Sequence, residues 1–470
     1  METDATPVPR LPLMSRTADI LAELQAFESR NVTFVEPDGS WPIVWEKARG
    51  VHVWDAEGRR YLDLTAAFGV AAAGHANPRV VRAGQSQMAT LLHAMGDVHP
   101  HALKAKLARE LSRLTFERWT PGKFEVRSPK SEVSATGKVI FCNSGFEAVE
   151  AALKTALLAT GKAGVIAFEG AYHGLGYGAL NATHREHFRS PFRQQLREFA
   201  HFAPFPLVAQ ASNLCGSQRS DDCATTETRL RELFRAHSIG AVLVEPMQAR
   251  GGIRIPPPEL LPLLRRLCDE HGALLILDEI YTGFGRTGRW FACEHSGVTP
   301  DLICLGKALT GGFPLSACVG RATVMDAAWP PSNGEAIHTS TFLGHPVGCA
   351  MALAQIKEIT RLKLVEASAQ LGEFLLAQLA ELRTSDFGLR TSCRGAGLMA
   401  GLELHRADGS PATAETLAAI KTLLHLGFIL LPEGEASNVV SFTPPLTITD
   451  VQLSLTVSAL ADVLLGKAAR

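Results

Sequence analysis

No apolar run in this chain reaches the ~18–20 residues that a membrane-spanning helix needs. Neither sign of charge is in excess. Forty-six Lys+Arg stand against 47 Asp+Glu, a formal charge of −1, so there is no basic surplus to draw the chain to nucleic acid or an anionic membrane. The nine cysteines are scattered, with no CxxC and no Cys/His cluster. That argues against a zinc site and reads as buried thiols outside disulfides, in a reducing compartment. Tyrosine is scarce, at four. The segment Met1–Arg16 is Pro-rich and carries Glu2 and Asp4, without the basic start and apolar core of a secretory signal. These absences set the expectation of a cytoplasmic protein with no membrane, nucleic-acid or metal partner.

What is present is ordinary globular material: 470 residues, 46% hydrophobic and 20% charged, enough apolar surface to offset the entropy of ordering the chain. The length implies two to four domains, or one large domain with satellites. Residues 1–30 read as a Pro-rich lead and a short helix. From Val44 to Leu64 apolar and polar residues alternate around a turn at Ala56–Arg59, a hairpin signal. Residues 78–115 read as helical. From Lys138 onward, short apolar runs alternate with helical segments: Val139–Cys142, Gly164–Phe168, Ala241–Glu245, Ala273–Asp278, Asp301–Leu305 and Ser316–Val319. Such runs predict a buried, mostly parallel sheet. Residues 350–383 predict one long helical stretch, and after Gly388 short strands and helices lead to an amphipathic C-terminal helix.

The expected architecture is therefore α/β. It has an N-terminal segment, 1–74, that packs on the C-terminal part. A large domain, 75–345, carries a mostly parallel central sheet, and 346–470 forms a long connecting helix and a smaller α+β domain. Residues 122–137 and 207–226, rich in Ser, Thr, Gly and charge, read as surface insertions. There is no internal repeat.

Three strings carry chemistry. In DLICLGKALTGGFPL, Asp301 to Leu315, Lys307 follows an apolar strand and precedes Gly311–Gly312. A lysine there is ordinarily a strand-end charge in solvent. The flanking glycines and apolar strand place it instead in a confined cleft at a strand end, where ligands sit in open α/β sheets. Desolvation there would lower its pKa and make it a nucleophile. In ALLILDEI, Asp278 closes an apolar strand. It reads equally as a carboxylate capping the next turn or as a buried acid that holds a proton on a heterocycle. In VIFCNSGFEA, a strand runs into Ser144–Gly145 and a helix with Glu147 in its first turn. This is either an anion site at a helix start or an ordinary N-cap.

Taken together, and with GHANP at Gly74–Pro78, these strings resemble the class III pyridoxal-phosphate aminotransferases, the group of ornithine, acetylornithine and 4-aminobutyrate aminotransferases. The resemblance runs from about Trp45 to the last helix. It implies the pyridoxal-phosphate-dependent transferase fold of type I, with pyridoxal 5'-phosphate as cofactor. It also implies an amine donor and a 2-oxo acid acceptor used in turn, in a ping-pong mechanism. Lys307 would link to the cofactor aldehyde and, once freed, move the proton between the substrate α-carbon and the cofactor C4′. Asp278 would keep the pyridine nitrogen protonated, and Ser144, Gly145 and Phe146 would donate to the phosphate. Tyr172 would stack on one ring face, with Ile280 against the other, and Gln248 would hydrogen-bond the phenolic oxygen. Thr341 would reach the phosphate of a neighbouring subunit, which implies a homodimer with shared active sites; whether two dimers pair further is left open. Arg394, in RGAGLM, would clamp a substrate carboxylate.

The chain departs from the family pattern at three places. Arg250 stands where many relatives have a glutamate that neutralises the clamping arginine. If Arg250 points inward, no acid offsets Arg394 and the pocket prefers acidic groups; the alternative has Arg250 outward and solvated. Leu175 stands where 4-aminobutyrate enzymes have an arginine, which argues against that substrate. His345 precedes Pro346 in place of Asn. Trp41, Phe68 and Val70 fall where relatives line the substrate entrance, and with Leu175 they suggest a partly apolar pocket; plain core packing is the alternative. The expected donor is an ω-amino acid, a diamine or a related primary amine. An amino-acid racemase or aminomutase keeps the same motifs and differs in needing no keto-acid co-substrate. A catalytically inert cofactor-binding regulator is the third reading, opposed by the intact Lys307 and Asp278 strings.

Overall fold

The computed structural model describes residues 15–37, 39–119, 136–207, 223–382 and 388–467. The Pro-rich lead and most of the two expected insertions, 122–137 and 207–226, lie outside the described residues. Three antiparallel strands open the fold: β1 (Trp45–Arg49), β2 (His52–Asp55) and β3 (Arg60–Asp63). The central sheet takes β4 (Gly137–Cys142), β5 (Gly164–Phe168), β6 (Ala200–Ala203), β7 (Ile239–Val244), β8 (Leu274–Asp278), β9 (Leu302–Leu305) and β10 (Ser316–Arg321). Their order is β4-β10-β9-β8-β7-β5-β6. Strands β6, β5, β7, β8 and β9 are mutually parallel, and β10 runs antiparallel to both β9 and β4.

The apolar runs follow from burial on both faces. Leu275, Leu277, Ile303, Leu305, Ala317 and Val319 enter one core cluster, while their alternate neighbours Ile276, Leu302, Cys304 and Cys318 enter another. Period-two alternation is thus present in space but invisible as polarity. The helix Gly145–Thr160 packs on the second face through Ala148, Ala151, Ala152 and Ala156, small residues that let it lie close to the sheet.

The C-terminal sheet holds β11 (Leu389–Ala396), β12 (Met399–Arg406), β14 (Leu431–Glu433) and β15 (Val439–Phe442), in the order β11-β12-β15-β14 and antiparallel throughout. Strand β13 (Phe428–Ile429) leaves that region and pairs in parallel with β3, so the first strands of the chain and a late one share a sheet. The expected single helix over 350–383 is two, Pro346–Arg361 and Leu364–Glu381, broken where Lys363 takes a left-handed backbone at φ 52°. Strand β6 was not expected; its AHFA sequence has no sustained apolar run, and it lies at the sheet edge. Among the described residues, no helix is long and apolar enough to cross a membrane.

Candidate active site

Because β5, β7, β8 and β9 are parallel and adjacent, their C-terminal ends open on one edge of the sheet. That edge is where an open α/β sheet holds a ligand. The loops leaving it carry Tyr172 and His173, Glu245 to Arg250, Asp278 to Tyr281, and Lys307.

Lys307 follows Gly306 and has a left-handed backbone, φ 43°. The turn after it is held by Thr310, whose hydroxyl donates to Phe313 O at 2.6 Å and accepts from Phe313 N at 3.1 Å. The amine lies 3.9 Å from the centroid of the Tyr281 ring. Burial pulls its pKa down to about 8, against the opposing pull of Asp278, Glu245 and Glu433. An amine at 8 rather than 10.5 is roughly 300-fold richer in free base at neutral pH.

Asp278 is nearly buried at the end of β8. Its Oδ1 accepts from Ile280 N at 3.1 Å, and its Oδ2 lies 2.8 Å from His173 Nδ1. It therefore caps the next turn and also stands as a buried acid beside the cleft. The His173 side chain is wholly buried, and its backbone N–H donates to Thr183 Oγ1 at 3.0 Å. Behind both sits Glu245, buried and pushed up to about 7 by that burial. Its two oxygens accept from Tyr172 N at 3.0 Å and Ala249 N at 3.1 Å, tying two of the strand-end loops to one carboxyl group.

The helix Gly145–Thr160 begins at the same edge. Glu147 accepts from the N–H groups of Asn143 and Ser144 at 2.6 and 3.1 Å, and Ser316 Oγ donates to Ser144 O at 2.5 Å. The Ser144 hydroxyl is buried and faces the Glu147 N–H in a capping box, without a hydrogen bond of normal geometry. Ile280 presses on the helix start: a Cβ at Gly145 would meet its Cδ1 at 3.1 Å. Gly174 is required by close approach, since a Cβ there would lie 2.4 Å from Phe146 Cβ and its φ is 112°.

These groups fit pyridoxal phosphate. The helix-start N–H groups and the Ser144 hydroxyl suit a phosphate. Asp278 suits a protonated ring nitrogen, Ile280 flanks the space between them, and the Lys307 amine suits the aldehyde.

The other expected residues stand as follows. Gln248 is fully buried, with its amide donating to Glu169 O at 2.8 Å and its carbonyl oxygen without a partner, against Gly170 and Gly251. Tyr281, not singled out in the sequence, is set against Lys307, and its hydroxyl lies 3.1 Å from Thr443 Oγ1. Tyr172 has the Arg250 guanidinium 5.6 Å from its ring centroid and packs edge-on to Phe188. Phe68 is exposed, next to Gly69, which lies against the Tyr281 ring. Trp41 is partly buried and packs against Val53, Tyr61, Leu424 and Ile429 under the first sheet, in line with the core-packing alternative. Thr341 is exposed, beside Phe342.

The two arginines also depart from expectation. Arg394 is committed within the chain. Its Nε donates to Ile253 O at 2.7 Å, its Nη2 to Gly252 O at 2.5 Å, and its Nη1 to Glu403 at 2.6 Å. Burial pushes Glu403 up, but the hydrogen bond from His405 and the charge of Arg394 outweigh it and hold the carboxyl at about 2. Three of its five N–H groups are thus taken inside the chain. Arg250 points inward, over Tyr172 and 3.7 Å from Glu433. The expectation that no acid offsets Arg394 when Arg250 points inward is therefore wrong: Glu403 offsets Arg394, and Glu433 stands beside Arg250.

His173, Tyr281, Glu245 and Glu433 went unrecognised in the sequence. The first three stand beside recognised motif residues, in AYHG, DEIY and VEP, so their positions offered a signal. Glu433, in LLPEGE, offered none.

A model of the family "Aminotransferase class-III" matches residues 34–464. The 5-aminovalerate aminotransferase DavT of Pseudomonas aeruginosa is 36% identical over 96% of this chain and 99% of its own length. The putrescine aminotransferase of Pectobacterium atrosepticum is 36% identical over 90% of this chain and 82% of its own. Among solved structures, an amine transaminase from an uncultivated Pseudomonas species, in its PLP-bound form, superposes with a TM-score of 0.80 at 27% identity, covering 94% of this chain and 99% of that one.

Proposed function

This chain belongs to the class III aminotransferases and is a pyridoxal-phosphate-dependent aminotransferase of fold type I; on that premise we propose that its donor is an ω-amino acid or a related primary amine. Its acceptor is a 2-oxo acid. The observation that carries the reading is the internal commitment of Arg394. At rest its charge is answered by Glu403, at the place where the family pattern clamps a carboxylate. A terminal amine, whose reacting carbon bears no carboxylate, leaves that pair undisturbed, whereas the 2-oxo acid must draw Arg394 away from Glu403. The names of the two relatives, 5-aminovalerate and putrescine aminotransferase, point the same way. Family membership favours transfer over racemisation.

Bound pyridoxal phosphate supplies an electron sink for the bond broken at the donor carbon. The residues of the chain do the rest. Asp278, oriented by His173, would hold the ring nitrogen's proton. Ser144 and the N–H groups of Gly145 and Phe146 would hold the phosphate, and Ile280 would brace the ring. The Lys307 amine, kept basic enough to accept a proton yet partly free at neutral pH, would carry that proton at the substrate carbon. Tyr281 fixes where the amine can swing, with its ring face toward Nζ.

The protein is read as a homodimer. Leu92 is 60% exposed, Met95 55% and Ile337 73%. The His93 ring lies 5.4 Å from that of Phe342, and Thr339 Oγ1 donates to Asp97 at 2.7 Å, so residues 91–98 and 337–345 form one exposed apolar patch. A patch of this kind marks an interaction surface. Thr341 faces out with it, as the shared-site reading requires. None of the eight described cysteines is in a disulfide, which supports a reducing, cytoplasmic setting.

The test is a half-reaction. With an ω-amine and no acceptor, the visible absorption of the loaded protein should disappear, and a 2-oxo acid should restore it. Absorption that persists through ω-amines but is lost with α-amino acids would overturn the donor assignment.

A further inference from the structure

The pair Arg250–Glu433 has no part in the chemistry above, yet it stands at the cleft. Arg250 leaves the loop after β7, and Glu433 ends β14 in the other sheet; the Gly434 N–H donates to Arg250 O at 3.2 Å and locks the two segments together. Glu433 is buried, 5% exposed, while the Arg250 side chain is 32% exposed. The ion pair is loose, 3.7 Å from Nε to Oε2, and that Nε has no hydrogen-bond partner. The guanidinium lies over the Tyr172 ring, with Phe188 and Arg185 beyond it. Both charges are felt at Lys307, which puts the pair within reach of a substrate bound there. Arg394 differs: its Nε, Nη1 and Nη2 each donate inside the chain, with Glu403 at 2.6 Å, whereas the Arg250 Nε has no hydrogen-bond partner and its ion pair is long.

We propose that Arg250 is the anchor for the substrate carboxylate of this enzyme, and that Glu433 is the internal counter-ion occupying it at rest. The donor class this implies is an ω-amino acid whose amine reaches Lys307 while its far carboxylate takes the Arg250 fork. A planar guanidinium with unsatisfied donors binds a carboxylate through two parallel hydrogen bonds, and the Tyr172 face below it keeps the fork in plane. A substrate carboxylate displaces Glu433 readily, because burial already pushes that carboxyl up to about 7, with only Arg250, Lys307 and Arg185 opposing. The inference rests on the reading of the chain as an ω-amine transaminase, and its test separates the two.

The first readout is binding, by calorimetric titration of the holoenzyme with glutarate. Arg250→Gln should weaken glutarate at least tenfold, and Arg250→Lys, which keeps charge but loses the fork, should fall between. Glu433→Gln removes the internal competitor and should tighten glutarate. Arg394→Lys should leave it within about twofold. The second readout is the half-reaction with 5-aminovalerate and with pentylamine. Arg250→Gln should raise KM for the first and leave the second unchanged. Unaltered glutarate affinity in Arg250→Gln, or a loss confined to Arg394→Lys, overturns the assignment. Failure of both amines to bleach the unmodified holoenzyme would instead overturn the donor reading, whatever glutarate does.

Discussion

Replacing His173 with Phe should cripple the cofactor site while leaving the fold intact. An aromatic ring is kept, somewhat larger, and the donor is lost. In the structure His173 Nδ1 lies 2.8 Å from Asp278 Oδ2, with the histidine side chain wholly buried and the carboxylate 5% exposed. Water cannot replace the donor in such a place. A hydrogen bond to a charged group is worth about 1.5–3 kcal/mol, and a buried carboxylate left without its donor loses that amount. At 1.36 kcal/mol per tenfold, the expected loss is roughly 10- to 100-fold. It should appear twice. Titration of the apoprotein with pyridoxal phosphate, followed by quenching of intrinsic fluorescence, should show the weaker affinity. Single-turnover bleaching with an amine should show a slower rate, because a destabilised Asp278 anion holds the ring nitrogen's proton less well. His173→Asn, which keeps a donor, should recover part of both. If His173→Phe stays within twofold of the parent in both assays while Asp278→Asn fails them, the pairing does not matter and the reasoning is wrong.

Lys307 should set a pH profile: the rate at which apoprotein takes up pyridoxal phosphate should rise through about pH 8 and level off above it, as the amine loses its proton; a rise continuing to pH 10 would refute the burial argument. Glu403 has a folded pKa of about 2 against an ordinary 4.5, so its stabilisation is full above 4.5 and is lost as pH falls towards 2. Glu403→Gln should therefore cost on the order of 3 kcal/mol at pH 7, and the gap in urea midpoints between parent and variant should narrow by pH 3. Gly372→Ala should destabilise by about 1–3 kcal/mol, read as a lower melting temperature, because the new Cβ would sit 2.2 Å from Gly397 O, a backbone atom that cannot turn aside.

The parts legible in the sequence share one physical property: they are local. The runs at β5, β7, β8 and β9 announce themselves because strands buried on both faces must be apolar throughout. Lys307 and Asp278 stand out because a charge directly after such a run lies at a strand end, and Ser144–Gly145 because a helix must begin there. Strand direction carries no such mark. The antiparallel β10 has the same apolar text as its parallel neighbours, and β6 is too short and mixed to register.

Pairing across the fold was decided by tertiary structure alone. Arg394 and Glu403 are nine residues apart, but they meet because β11 and β12 run antiparallel, in a register that sets Arg394 opposite Gly401. Arg250 and Glu433 come together because Gly434 bonds to Arg250 O between two different sheets. Tyr281 faces Lys307 because β8 and β9 are neighbours whose ends open together. By itself the sequence showed where an amine, an acid and a helix start stand at strand ends, each readable within a dozen residues, and the family resemblance gave them their expected chemistry. Which arginine is paired closely inside the protein and which only loosely depends on charges brought together through space, and only the folded chain sets those distances.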